Sequence, residues 1–341
     1  MTLRVFLQVL ASLAMLLATA WGGMALWYQL PMMAAGKSAS IALWCILASA
    51  LLIALWRLRP WIAICGYLSL FALLQVWWNS LEPSNHRVWT DDLMGMTHGR
   101  AEGSQVTLHN VRNFDWRSDE DYDPRWETRR YDLDQLTSVD LATSYWGMPA
   151  IAHVLVSFGF DDGQFVVFTV EIRKERGESY SEIGGFFKQF ELSIVAADER
   201  DALRVRTNVR NEDVYLYRVN MSEEAMRALF LSYIQQTNQL QEEPRFYNTI
   251  TANCTTIVFE MMRQIAQGLP MDYRLLLTGY LPGYVRDVAG LKANLGLEEL
   301  QRRGRITERA RQAGDHPQFS QLIRRGVPGW EETAGETVST Q

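Results

Sequence analysis

The chain has 341 residues, with 33 Lys and Arg against 39 Asp and Glu, a net charge of −6 that argues against nucleic acid as a partner. Its charge is very unevenly placed: the first 80 residues hold no acidic residue and only Arg4, Lys37, Arg57 and Arg59. The remainder carries 29 basic and 39 acidic residues, a net −10, over a length that can bury a full core.

Three apolar runs, Val5 to Tyr28, Ser38 to Trp56 and Pro60 to Trp78, have the length and composition of bilayer spans. Arg57-Leu58-Arg59 is too short to be anything but the turn of a helical hairpin, and its two charges mark the cytoplasmic side. Arg4 agrees with an N-terminus inside, so everything beyond Trp78 is expected outside. Trp27, Tyr28, Trp56, Trp61, Trp77 and Trp78 near the span ends read as an aromatic belt. Ala18-Thr19-Ala20 offers a competing signal-peptide reading, but the apolar run continues past it, and the remaining hairpin would give the same topology. The expected organisation is a membrane region over 1–80, a folded domain over 81–330 and a disordered tail over 331–341.

Strands are expected at Val106 to Val111, Arg129 to Leu133, Ala152 to Phe160, Gln164 to Arg173, Phe190 to Ala196, Ala202 to Thr207 and Val214 to Val219. Asn113 to Tyr131, dense in Asp, Arg, Trp and Pro, reads as a long ordered loop because its aromatics need burial. A helix capped by Ser222 follows, with Met226, Leu229, Phe230, Tyr233 and Ile234 on one face. Ile257, Val258, Met261, Met262 and Ile265 define another, with Asn253 as N-cap and Gly268 and Pro270 as the stop; a further helix is expected over Leu297 to Gln312. The domain is therefore predicted as α+β with an antiparallel sheet.

Cys254 is the only thiol outside the apolar region, so it has no partner for an internal disulfide. In the first turn of its helix, the macrodipole and free N–H groups would favour a thiolate and could hold an oxyanion, with Asn253 and Thr255 as positioning residues. The second half of the chemistry lies in a hairpin. Val154, Val156, Phe158 and Phe160 must share a face with Val166, Phe168, Val170 and Ile172, which requires the three-residue loop Asp161-Asp162-Gly163. That register sets His153 opposite Glu171, with Ser157 and Thr169 on the same face, so the carboxylate could orient the imidazole. Singly, a His at a strand start and a Glu near a strand end are more often structural; together with the lone thiol they form a nucleophile, base and orienter set. His86, His98, His109 and His316 show no metal-ligand spacing, and Gly184-Gly185 lacks a phosphate-loop pattern, so neither metal nor nucleotide cofactor is expected. Arg112, Arg173 and the Arg125 to Arg130 cluster are candidates for phosphate headgroups, against the plainer alternative of salt bridging to nearby carboxylates.

The strings Asn110-Val111-Arg112-Asn113-Phe114-Asp115, Tyr131-Asp132-Leu133, Ile151-Ala152-His153 through Phe160, Glu171-Ile172-Arg173, Asp198-Glu199-Arg200-Asp201, Tyr215-Leu216-Tyr217 and Tyr247-Asn248 through Thr256 resemble the periplasmic domain of Lnb-type lipoprotein N-acyltransferases over most of residues 105 to 330. The resemblance implies a catalytic pair at Cys254 and His153. In that family the cysteine is acylated from a membrane phospholipid and passes the acyl group to a lipoprotein N-terminus, in the periplasm and beside the bacterial inner membrane. The His-before-Cys order, 101 residues apart, is also similar to circularly permuted papain-like enzymes. Two alternatives stand beside an acyltransferase: a thiol hydrolase or amidase acting on cell-wall peptides or lipids, and a non-catalytic anchored binding domain in which Cys254 is merely packed.

The charge pattern carries its own test. A reporter fused after Ser80 is expected on the non-cytoplasmic side and one at Leu58 in the cytoplasm; a cytoplasmic signal at Ser80 would contradict the assigned orientation.

Overall fold

The computed structural model describes residues 3–330; the expected tail over 331–341 lies outside them. The chain forms two compact units. One takes the N-terminal residues to Ser84 together with Tyr180–Glu191, and the other takes Asn85–Ser179 and the chain from Leu192 onward.

The first unit contains three helices, α1 Leu3–Gln29, α2 Ala34–Arg57 and α3 Pro60–Asn79, each long and apolar enough to cross a membrane. With lipid tails outside and apolar side chains inside, hydrophobicity cannot hold such helices together, and close packing and hydrogen bonds must. Thr19 Oγ1 meets Tyr67 Oη at 2.8 Å, Trp44 Nε1 donates to Thr19 O at 2.9 Å, and Gln8 Nε2 donates to Leu55 O at 2.9 Å. At Gly22 an added Cβ would stand 2.7 Å from Trp44, so the glycine lets α2 approach α1.

The second unit is α+β. Its strands are β1 His98–Glu102, β2 Gln105–Arg112, β3 Asp115–Trp116, β4 Tyr122–Asp123, β5 Trp126–Asp132, β6 Leu136–Tyr145, β7 His153–Phe160, β8 Phe165–Arg173, β9 Glu191–Ala197 and β10 Asp213–Arg218. The main sheet runs β1-β2-β9-β8-β7-β6-β10 with β5 on β2, while β3 and β4 form a separate hairpin. Pairing is mostly antiparallel, and Arg112 pairs in parallel with Ala197. The β7–β8 register agrees with the sequence argument: Leu155 pairs with Thr169 and Val156 with Phe168, and Gly163 takes φ +82° in the turn. Val154, Val156, Phe158, Val166, Phe168 and Val170 bury one face under α5 Glu223–Glu242, through Phe230 and Tyr233, and alongside α6 Thr256–Ile265.

Three expectations need correction. The first concerns Ala202 to Thr207, which is helical, with α4 Glu199–Ala202 running into a π-helical segment, Val205–Val209. Asp198 caps α4 by accepting from Arg200 N; Leu203, Val205 and Thr207 alternate with Arg204 and Arg206 and so read as a strand, but Arg206 is buried in ion pairs rather than solvated. Second, β6 was not anticipated, because its centre is polar: Ser138, Asp140, Thr143 and Ser144 are all buried. Third, the expected helix over Leu297 to Gln312 is two, α8 Leu297–Gly304 and α9 Thr307–Ala313, separated at Arg305 and Ile306, where Ile306 N bonds Val214 O. The chain connecting α6 to α8 contains α7 Leu281–Asp287, and α10 Phe319–Arg324 follows α9. The Asn113 to Tyr131 segment is ordered by aromatic burial as expected, with Phe114, Trp116, Tyr122 and Trp126 in mutual contact, although it contains β3, β4 and most of β5.

The polar side of the sheet depends on Arg324. Its guanidinium bonds Asp140 at 3.0 Å and Glu199 at 2.6 Å, Ser157 Oγ also donates to Glu199, and all four residues are buried. Removing one partner of such a group strands the others. Arg324→Met is expected to destabilise this unit by on the order of 3–5 kcal/mol, read as a lower unfolding midpoint in denaturant; a loss under about 1 kcal/mol would contradict the account.

Candidate functional site

Cys254 is set by two asparagines. Asn248 Oδ1 accepts from Ile250 N and Thr251 N at 3.0 Å each, closing a turn that brings Ala252 N to Asn248 O. Asn253 then starts the helix: its carbonyl accepts from Ile257 N at 3.2 Å, and its Oδ1 accepts from Thr255 N at 2.8 Å and Thr256 N at 2.9 Å. Thr256 Oγ1 accepts from Asn253 N in return, a reciprocal cap that places Cys254 in the first turn although regular α6 begins at Thr256. Asn253 Nδ2 donates one of its two N–H groups to Thr249 O at 2.7 Å. Asn253 thus holds the turn that carries Cys254, and the Thr255 and Thr256 amides are occupied by it. Cys254's own amide is the helix-start donor outside this cap.

His153 opens β7. The strand entrance is fixed by Thr278, whose hydroxyl accepts from Ala152 N at 2.8 Å and donates to Ala152 O at 2.6 Å. His153 Nε2 lies 2.6 Å from Thr169 Oγ1 and 3.1 Å from Glu171 Oε1, while the Thr169 hydroxyl donates to the same carboxylate oxygen at 2.8 Å. Nε2 thus faces Thr169 and Glu171, and the Cys254 thiol is near enough to the ring for each group to shift the other's protonation. The His153 and Glu171 side chains keep 12% and 20% exposure, which leaves the pair reachable.

The electrostatics favour a charged pair. Burial opposes protonation of His153, but the Glu171 carboxylate outweighs it and pushes the imidazole up to about 9. Burial likewise opposes the Cys254 thiolate, yet the hydrogen bond and charge of His153, the Val154 N–H and the Thr255 hydroxyl together bring the thiol below its ordinary value. Glu171 is held well below the usual carboxylate range, its burial outweighed by His153, Arg206 and Arg112. Thr255 Oγ1 is buried without a hydrogen-bond partner among the described residues, and its hydroxyl is one of the groups that favour the thiolate.

Two participants were missed in the sequence. Arg206 reaches Glu171 at 3.3 Å and Glu212 at 3.0 Å, and Ser144 Oγ donates to Glu212, which completes a line of side chains behind the imidazole. No spacing rule links Arg206 or Glu212 to Glu171; only the π-helical segment brings them together. Thr169, by contrast, follows from alternation, two residues before Glu171 on the His153 face. Arg112 and Arg173 are corrected as headgroup candidates. Arg112 is buried against Asp201 at 2.9 and 3.1 Å, and Arg173 is buried over the Trp89 ring, bonding Leu93 O and Met94 O at 3.0 Å. Arg125 and Arg129 pair with Glu127, as the salt-bridge alternative predicted.

Next to the dyad is an apolar cavity of about 330 Å³. Val154 and Thr255, which follow His153 and Cys254 in sequence, form part of its wall, and Val258, Phe259, Leu229 and Met262 continue it. Its volume lies at the lower end of the range for small-molecule sites, and its lining is almost wholly aliphatic and aromatic.

A thiolate paired with imidazolium gives a distinctive profile. Alkylation of Cys254 is expected to rise less steeply between about pH 7 and 8 than that of a free thiol near 8.5, which speeds up about tenfold per unit. Since the His153 pKa is raised in the folded state, the pair's contribution is present at neutral pH and is lost as pH rises through about 9. Glu171→Gln should shift the Cys254 profile toward that of a free thiol; an unchanged profile would remove Glu171 from the pair.

Comparison with curated proteins and with solved structures finds no match. Residues 122–279, a little under half of the chain, match the family model described as Lnb N-terminal periplasmic domain, the family that the sequence strings resemble, and this stretch contains His153, Glu171, Arg206 and Cys254.

Proposed function

We propose that this membrane-associated, Lnb-like protein is a thiol acyltransferase that moves an acyl chain from a phospholipid through a Cys254 thioester to an amine such as a lipoprotein N-terminus. Residues 1–80 would anchor it as a multi-pass protein of the inner membrane, with 81–330 as the periplasmic catalytic domain. The observation that carries the reading is the juxtaposition of a charge-paired thiol and imidazole with an apolar cavity: a thiol peptidase has less use for a mostly apolar wall near its nucleophile.

In the first half-reaction the Cys254 sulfur attacks the ester carbonyl carbon and forms the C–S bond. Cys254 N–H is the nearest helix-start donor for the developing oxyanion. Collapse breaks the ester C–O bond, and the His153 imidazolium gives a proton to the departing alkoxide, leaving a thioester and a lysolipid alcohol. An amine then attacks the thioester carbonyl, neutral His153 accepts its proton, and cleavage of the C–S bond returns thiolate and imidazolium with an amide as product. Water in place of the amine would give a free fatty acid. Glu171, fixed by Thr169 and Arg206, supports the imidazolium in both halves. Tethering the domain to the bilayer raises its encounter rate with a substrate almost absent from water.

Incubation of the full chain with diester phospholipid vesicles should give a single hydroxylamine-labile acyl mass on Cys254, absent from Cys254→Ser and absent with ether-linked lipids. Val258→Phe, which narrows the cavity, should slow acylation by long chains about tenfold or more while leaving butyryl donors within about twofold. No acyl adduct with any donor would overturn the catalytic reading. Equal loss for long and short donors would overturn the role of the cavity.

A further inference from the structure

We infer that Tyr180–Glu191, the segment connecting β8 to β9, is an interfacial element that lays Tyr180, Ile183 and Phe186 into the headgroup layer of a phospholipid bilayer. By its contacts this segment belongs with α1–α3 rather than with the sheet on either side of it in sequence. Its anchor is Phe187, which stacks on Tyr28 at 5.6 Å and meets Trp78 edge-on at 6.4 Å, with Trp21 at 6.4 Å. Polar contacts hold the backbone at the same level: Gln29 Nε2 donates to Phe187 O at 2.8 Å, and Lys188 Nζ donates to Trp78 O at 2.8 Å.

Tyr28 and Gln29 end α1, and Trp78 ends α3, so the segment sits where two apolar helices finish together. Tyr and Trp at helix ends mark the bilayer interface, and a lysine reaching back along a span end is the usual way a charged group accommodates that boundary. A 3₁₀ turn at Gly184–Phe186 leads into the anchor, and three large side chains of the segment are exposed: Tyr180 is 56% exposed, Ile183 52% and Phe186 40%. Scattered exposed apolar residues are ordinary, but these three fall within seven residues. Trp27, Met32 and Met33, exposed at and just beyond the end of α1, continue the apolar rim. A lipid surface is the partner that fits, because that rim is continuous with lipid-facing helices.

The inference rests on the reading of α1–α3 as bilayer spans, and the test separates the two. Environment-sensitive fluorophores are attached at Ile183→Cys and Phe186→Cys in the full chain carrying Cys45→Ala, Cys65→Ala and Cys254→Ser, reconstituted in phosphatidylethanolamine and phosphatidylglycerol vesicles. Ile46→Cys, exposed on α2, serves as the lipid reference, and Glu102→Cys, exposed at the end of β1, as the aqueous one. Positions 183 and 186 should be quenched several-fold more by a phospholipid spin-labelled near its headgroup than position 102, and be shielded from aqueous iodide. Water-like quenching at 183 and 186 with a lipid-like signal at 46 would overturn this inference alone. A water-like signal at 46 as well would overturn the span reading and this inference together. Agreement between the two sites guards against local disturbance by either substitution.

Discussion

The site depends on keeping opposite charges together in a place that penalises each of them alone. Burial works against a thiolate at Cys254, against an imidazolium at His153 and against a carboxylate at Glu171, and in each case the neighbours outweigh it. An isolated charge there would simply neutralise. The arrangement is therefore cooperative, and its geometry cannot be loose, because a displaced partner converts a stabilising charge into a desolvation cost. This explains the amount of structure devoted to holding three side chains: the reciprocal Asn253 and Thr256 cap under Cys254, the Thr278 clasp on Ala152, and Thr169 and Arg206 on the Glu171 carboxylate.

The same logic appears farther along the same polar face of the sheet without chemistry attached. Arg324, Asp140 and Glu199 are buried together, and Arg112 is buried with Asp201, which also accepts from Phe114 N and Trp116 Nε1. These groups tie the C-terminal helix and the aromatic hairpin to the central strands. Charged clusters in this unit thus fall into two kinds. Some are sealed and structural, whereas the Cys254 group stays partly exposed and beside an apolar cavity.

What could be read in the sequence was whatever rests on local periodicity. Strict alternation in β7 and β8 sets their register, and with it the His153 and Glu171 pairing. Asn253 as the N-cap was visible from the apolar spacing of α6, but the return bond from Thr256 was not. Features that depend on long-range satisfaction were not visible. The polar centre of β6 looks like loop until Arg324, Trp330 and Glu212 are brought to it from distant parts of the chain. Arg206 lay in a segment whose alternation reads as strand, and only the π-helical turn aims it at Glu171. Arg112 and Arg173 looked available because their partners are an aspartate 89 residues away and main-chain carbonyls about 80 residues away. The amphipathic character of Tyr180–Glu191 was likewise hidden, since its anchor Phe187 meets aromatic residues more than 100 positions distant.

His153, protonated beside Cys254, should make the thiol ionise at lower pH than a free cysteine. Thiolate absorbs in the ultraviolet where thiol does not, so the absorbance difference between the wild-type protein and Cys254→Ser, followed against pH, reads the charge state directly. The account predicts a thiolate signal already present at neutral pH, with its midpoint below that of a free thiol, and loss of the neutral-pH signal in His153→Ala. A midpoint at or above the free-thiol value, or a neutral-pH signal indifferent to His153, would contradict it.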